Sequence, residues 1–177
     1  MKTIKSYFNI LLVMVFFACS SQEYTTAKLA LQQSDFKKAA EWLPKAMAVE
    51  PENPEIPIVM AIEIHAENEK WTEMVKLFNR AMDINPDKIV EVRGSFIPVK
   101  DAVNNYVEFY WAKEFNAGVE QFKKIQSDPD KKNQYLDVAI NHFTNAATIK
   151  PSDSNTYTTL AKCYLDKGDK VAAKDAV

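Results

Sequence analysis

Apolar side chains recur along this chain in steps of three and four. Phe36, Ala39, Leu43 and Ala46 form one run, closed by Pro51. Trp71, Met74, Phe78 and Ala81 form a second, closed by Pro86, and Leu136, Ala139, Phe143 and Ala146 a third, closed by Pro151. Such steps trace one face of an α-helix, so each run predicts a helix with a single buried stripe. Proline lacks an N–H and disfavours helical backbone in its predecessor, so each helix should stop just short of it. The internal spacing is the same in all three runs, and 86 − 51 puts the first two prolines 35 residues apart. Recurrence at that period is the mark of stacked supersecondary units, each burying its apolar face on the next.

The order aromatic-x-x-Ala-x-x-x-aromatic-x-x-Ala-x-x-x-x-Pro resembles the second helix of the tetratricopeptide repeat (TPR), a helix–turn–helix unit of about 34 residues. The resemblance spans roughly residues 22 to 177. It implies an all-α fold, a TPR-like α-solenoid of antiparallel helix hairpins, with one irregular long-helix segment around 87–126. The hairpins fall at about 22–51, 54–86, 111–151 and a shortened 154–177, within a repeat domain of 24–177. In that family the first helix carries a small residue where the two helices approach closely. Here it is implied at Ala27, Ala61, Gly118 and Ala161. Together with Ala39, Ala46, Pro51, Phe78, Ala81, Pro86, Ala139, Phe143, Ala146 and Pro151, these make the repeat-packing set. The turns before the second helices are Ser34-Asp35, Asn68-Glu69 and Gly168-Asp169, with Asp169 placed to cap its helix.

Residues 87–110 depart from the repeat. Val92, Phe96, Val99, Val103, Tyr106 and Tyr110 step by four and three, which predicts helix, while Gly94 and Pro98 argue for a break. The expectation is a short helix before Pro98 and a long one from Val99 to about Ile125. Gln126 to Asn133 is polar and holds Pro129, so it reads as an exposed loop inside the fourth hairpin. Its Asp128 and Asp130 lack the further oxygen ligands and glycine of a calcium loop. Pro44 lies inside a second helix, where a solvent-facing bend is expected. The second helix after Lys170 carries Ala173 in register and then breaks off at Val177, mid-pattern.

Composition narrows the function. The chain has three glycines, Gly94, Gly118 and Gly168, too few for glycine-rich turns or phosphate loops. A net charge of −2 with no basic stripe gives no electrostatic footprint for nucleic acid. The N-terminus has a basic start, Lys2 and Lys5, followed by an apolar stretch from Tyr7 to Ala18. About a dozen residues is short of the roughly 20 that span a bilayer, so 1–18 reads as a secretory signal peptide. Ala18-Cys19-Ser20 at its end resembles a bacterial lipobox, with Phe16 and Phe17 standing where aliphatic and small residues are usual. That resemblance implies a lipidated Cys19, a short tether at 19–23 and, with no aspartate after the cysteine, the outer membrane (periplasmic or surface face). Cys163 is then the remaining cysteine, a small side chain in an amphipathic stretch.

Catalytic chemistry finds no carrier. His65 and His142 are far apart, no Cys/His spacing fits zinc, and no nucleophile elbow, Walker motif or dinucleotide fingerprint occurs. The expectation is a non-enzyme with no cofactor and no metal. A TPR array displays its first helices along a groove that takes peptides or partner helices. Carried over residue by residue, the groove candidates are Tyr24, Lys28 and Leu31; Ile58, Ile62 and His65; Ala112, Phe115, Asn116, Val119 and Lys123; and Asn155, Thr158, Thr159 and Lys162. Asn116, Lys123 and Lys162 suit a carboxylate or a peptide backbone. The two-carboxylate clamp of chaperone-binding TPR domains is incomplete.

The function expected is a lipid-anchored scaffold for protein–protein interaction in the bacterial cell envelope, with a protein or peptide partner, no nucleic acid, and an oligomeric state the sequence leaves open. Two alternatives stand beside it. One is a glycan-binding nutrient-uptake lipoprotein using Trp42, Trp71 or Trp111; the other is the N-terminal accessory part of a longer enzyme or sensor.

Overall fold

The computed structural model describes residues 20–177. The signal-peptide reading of 1–18 and the lipidation of Cys19 lie outside the described residues. The described residues divide into two compact units, one ending at Glu52 and the other Asn53–Val177, each built from antiparallel helix pairs.

In the first unit α1 (Gln22–Gln32) pairs with α2 (Phe36–Val49). Ser21 caps α1, its hydroxyl accepting from Tyr24 N–H at 3.1 Å, and Asp35 caps α2 by accepting from Lys38 N–H at 3.0 Å. Ala27 and Ala30 of α1 and Ala39, Leu43 and Ala46 of α2 have no exposed surface. These side chains form the buried seam between the two helices. Pro44 sits inside α2 on its solvent side. Phe36 departs from its repeat position: at the first turn of α2 it is 49% exposed.

The second unit opens with α3 (Glu55–Met60), which widens into a π turn (Ala61–His65) and tightens into a 3₁₀ turn (Ala66–Asn68) before α4 (Trp71–Ile84). Ala61 is fully buried between them, and Trp71, Met74, Phe78 and Ala81 form the buried stripe of α4. The chain then makes two strands, β1 (Ile89–Val92) and β2 (Ser95–Pro98), paired antiparallel with Val92 opposite Ser95. The short helix expected before Pro98 is therefore a β-hairpin. Its two-residue turn, Arg93-Gly94, has positive φ at both positions (48° and 79°), the primed turn that matches strand twist. The alternation buries Val90 and Val92 and leaves Ile89 and Glu91 outside.

The long helix begins where the sequence placed it. α5 runs Val99–Ser127 without interruption, so the boundary drawn at 110 falls inside it. Its first half shares an apolar cluster with α3, α4 and β1 through Val99, Ala102, Val103 and Tyr110. Its second half packs Phe115, Val119, Phe122 and Ile125 against a second cluster, which holds Leu136, Ala139 and Phe143 of α6 (Lys132–Ile149) and Leu160 and Cys163 of α7 (Ser154–Lys167). The exposed loop expected over 126–133 is mostly helical instead, a single 3₁₀ turn at Pro129–Lys131 joining α5 to α6. Gly118 is the close-contact position of that pair. A Cβ there would meet Phe143 Cζ at 2.7 Å and Cε1 at 2.8 Å. The closing α8 (Lys170–Asp175) buries Ala173 and is capped by Asp169, which accepts from Ala172 N–H at 2.9 Å.

Three of the hairpin turns share one form. Ser34, Glu69 and Gly168 all stand in left-handed backbone, and the next residue's N–H bonds back to Ala30 O, His65 O and Tyr164 O at 2.8–2.9 Å. This is the six-to-one closure that satisfies a helix's last carbonyls. The middle turn is therefore Glu69-Lys70, one residue later than the Asn68-Glu69 expected. Pro51, Pro86 and Pro151 stand exposed just past helix ends at Val49, Ile84 and Ile149. The all-α, TPR-like reading of antiparallel hairpins thus describes both units, with the β-hairpin as the one strand element among the described residues.

Candidate functional site

The groove candidates separate into buried and displayed sets. Tyr24, Ile58 and Ile62 are 1%, 0% and 0% exposed, so they are core side chains and not ligand contacts. Lys28 is half-buried, its ammonium 4.6 Å from the centre of the Tyr24 ring. His65 is half-buried with Nδ1 enclosed and without a hydrogen-bond partner; burial, then nearby Lys70, lowers its pKa. Phe115 leans on Phe143, ring centroids 5.3 Å apart. Asn116, Lys123, Asn155, Thr158 and Lys162 are exposed, and Thr159 is half-buried. Lys123 pairs with Glu120 at 2.6 Å, an exposed i,i+3 contact of about 0–1 kcal/mol. The Thr159 hydroxyl donates to Asn155 O at 2.8 Å.

The displayed set lies on α5 and α7, and a partly buried polar joint links those helices. Trp111 Nε1 donates to the Thr156 hydroxyl at 3.0 Å, and that hydroxyl donates to Asp153 Oδ2 at 2.6 Å. Asp153 also caps α7, accepting from Thr156 N–H at 2.8 Å. Thr156 has no exposed surface, so its hydroxyl depends on Trp111 and Asp153 for its hydrogen bonds. Lys150 lies 4.7 Å over the Trp111 ring and 2.5 Å from Glu108.

Two further polar clusters gave no signal in the sequence. Glu114 is 3% exposed on α5, and its Oε2 meets His142 Nδ1 at 2.9 Å and accepts from Asn145 Nδ2 at 3.0 Å. Only the α5–α6 packing brings these three together. At the β-hairpin, Arg93 donates through Nε and Nη2 to the two oxygens of Glu63 at 2.7 and 3.2 Å, with Glu67 at 3.7 Å. This fork raises the arginine pKa further. Glu63 and Glu67, four apart, repel each other on a bare helix, and Arg93 offsets that by pairing with both.

The tryptophans considered as sugar platforms are engaged elsewhere. Trp71 is 4% exposed, and Trp111 lies beneath Lys150 and beside Phe115, 5.4 Å between ring centroids. Lys45 sits 4.3 Å from the centre of the Trp42 ring. Cys163 is buried, and burial with Asp166 nearby pushes its thiol up to about 12, which makes it a packing residue. Among the described residues, no cluster of His, Cys, Asp or Glu is spaced to hold a metal ion, and no helix is long and apolar enough to cross a membrane.

No protein-family model matches the sequence, and no curated protein is significantly similar to it. Solved structures do match. MamA from Desulfovibrio magneticus RS-1, residues 41 to the end, is 13% identical over 89% of this chain and 93% of its own, with a TM-score of 0.40. A second MamA structure is 14% identical over 87% of this chain and 85% of its own, TM-score 0.38. YrrB, described as a TPR protein with an unusual peptide-binding site, is 12% identical over 94% of this chain and 87% of its own, TM-score 0.40. Likeness this loose assigns no role to any residue here.

Proposed function

We propose that this chain is a scaffold that holds a protein or peptide partner in the bacterial cell envelope, exported by its signal peptide and anchored to the outer membrane through a lipidated Cys19. The observation that carries the binding half is the joint at Trp111, Thr156 and Asp153. It links α5 to the first turn of α7, while Asn116, Asn155, Thr158 and Lys162 stay in solvent. Rigid helices carrying amides, a hydroxyl and an ammonium offer donors and acceptors to a peptide main chain or a carboxylate. Nothing in this set activates a nucleophile or shuttles a proton, so binding is the chemistry it supports.

The test is photo-crosslinking in native envelopes from probes at positions 116 and 162. One or a few envelope proteins should be captured, and Asn116→Ala with Lys162→Ala should cut capture about tenfold while leaving stability within about 0.5 kcal/mol. Capture of nothing in repeated attempts, or capture indifferent to both substitutions, overturns the reading. Mass spectrometry of the mature N-terminus tests the anchor: an unmodified terminus downstream of Cys19 removes it.

A further inference from the structure

Ile58 and Ile62, expected to line a groove, instead share a fully buried cluster with Val90 and Val92 of β1. Around them the helix treats β1 as a ligand. Glu55 accepts the outward-pointing N–H of Glu91 at 2.9 Å. That donor faces away from β2 because Val90 and Val92 make the strand-to-strand pairs, so a carboxylate replaces the missing neighbouring strand. Beyond it, Glu63 and Glu67 receive Arg93. Apolar residues at alternate positions, main-chain capture and a charge fork at one end are the contacts by which a surface recognises an extended strand. Three carboxylates along the path make it complementary to a basic residue, and the bidentate geometry selects arginine over lysine.

We propose that this face of α3 and its π turn is a strand-docking surface with β1 as its built-in occupant, and that it accepts in trans an extended partner segment carrying β-branched residues two apart followed by arginine. The proposal rests on the scaffold reading for its biological sense, but its chemistry is independent of the α5–α7 surface. In the resting protein the face is closed, since Val90 and Val92 are 2% and 3% exposed. The segment 88–98 therefore acts as an autoinhibitory strap, and a competing strand gains access only when the strap leaves.

The experiment uses the full chain with Val90→Asp and Val92→Asp. Unpaired carboxylates cannot be buried in that cluster, so the strap is expelled. The probe is a fluorescein-labelled peptide with the sequence of residues 88–94, titrated by anisotropy. The double variant should bind it about a hundredfold more tightly than the unaltered protein. Alanine in place of arginine in the peptide should cost about tenfold, and Glu63→Gln should abolish that difference between the two peptides. If the double variant loses its helix signal alone, the peptide should restore it. A folded variant that ignores the peptide, an unfolded one that the peptide does not rescue, or equal binding by variant and unaltered protein overturns the proposal. None of these results changes crosslinking from positions 116 and 162, so a failure here is separable from failure of the scaffold reading.

Discussion

Replacing Gly118 with alanine sets two effects of opposite sign against each other. Alanine is favoured over glycine in a helix interior by about 1 kcal/mol. Against that, the added methyl would lie 2.7, 2.8 and 3.0 Å from three atoms of the Phe143 ring. Carbon atoms rest about 3.5–4.0 Å apart, so the ring must retreat by roughly 0.8 Å or more. It has nowhere to go. Phe143 has no exposed surface, and Phe115 and Phe122 flank it with centroids at 5.3 and 6.2 Å. Overpacking of a filled core costs about 1–3 kcal/mol, and a contact this short belongs at the upper end. The net expectation is a loss of about 1–2 kcal/mol, or roughly 3–8 °C in Tm for a domain of this size. Urea denaturation followed by circular dichroism measures it. The decisive arm is a cycle with Phe143→Leu, which removes the ring. In that background Gly118→Ala should become neutral or stabilising, with a coupling of at least about 1 kcal/mol. A Gly118→Ala protein as stable as the parent, or two substitutions that add within about 0.5 kcal/mol, would refute the close-contact account.

Further outcomes follow from the same geometry. Ser34→Gly and Glu69→Gly each remove a side chain from left-handed backbone (φ 58° and 54°) and should stabilise by up to about 1 kcal/mol, seen as a higher urea midpoint at unchanged slope; a lower midpoint would contradict the turn assignment. Thr156→Val strips the joint of its hydroxyl, leaving Trp111 Nε1 and Asp153 without that partner, and should cost about 1–3 kcal/mol; a loss near zero would mean the joint is dispensable. The folded Cys163 thiol stays neutral until about pH 12, whereas an unfolded thiol ionises near about 8.5. The stability it contributes is thus complete below that lower value and is lost as pH rises toward the higher one. Cys163→Ala should flatten this alkaline decline, and thiol reagents at pH 8 should label the native protein only as it unfolds. Labelling at the rate of a free thiol would refute the burial.

What the sequence made legible was local. Met74, Phe78 and Ala81, like Ala139, Phe143 and Ala146, are spaced for one helix face, and the structure buries them all. The β-hairpin escaped because Val92, Phe96 and Val99 fall at helical intervals by coincidence. Val90 and Val92 alternate, and the Arg93-Gly94 pair decides the matter through positive φ, which spacing does not show. Ile58 and Ile62 lie in the core and not in a groove for a different reason. They share one helix face, but its cover, residues 90–99, arrives from about 30 positions downstream, and helical periodicity carries no information about that (compare Glu63 with Arg93, 30 apart). The same holds for Glu114, His142 and Asn145, which only the long-range packing assembles.

The length of α5 bears on how the second unit comes apart. At about 1.5 Å per residue, its 29 residues reach roughly 43 Å. One end is embedded in the cluster around Trp71 and Phe78, the other in the cluster around Phe143 and Leu160. In an ideal repeat array each hairpin touches only its neighbours, and the ends can fray while the middle holds. Here one continuous helix is a shared beam. Melting it at either end removes a wall from the other core, so the two cores should lose hydrogen-exchange protection together. Under a pulling force they should yield in one step and not as a staircase of single repeats.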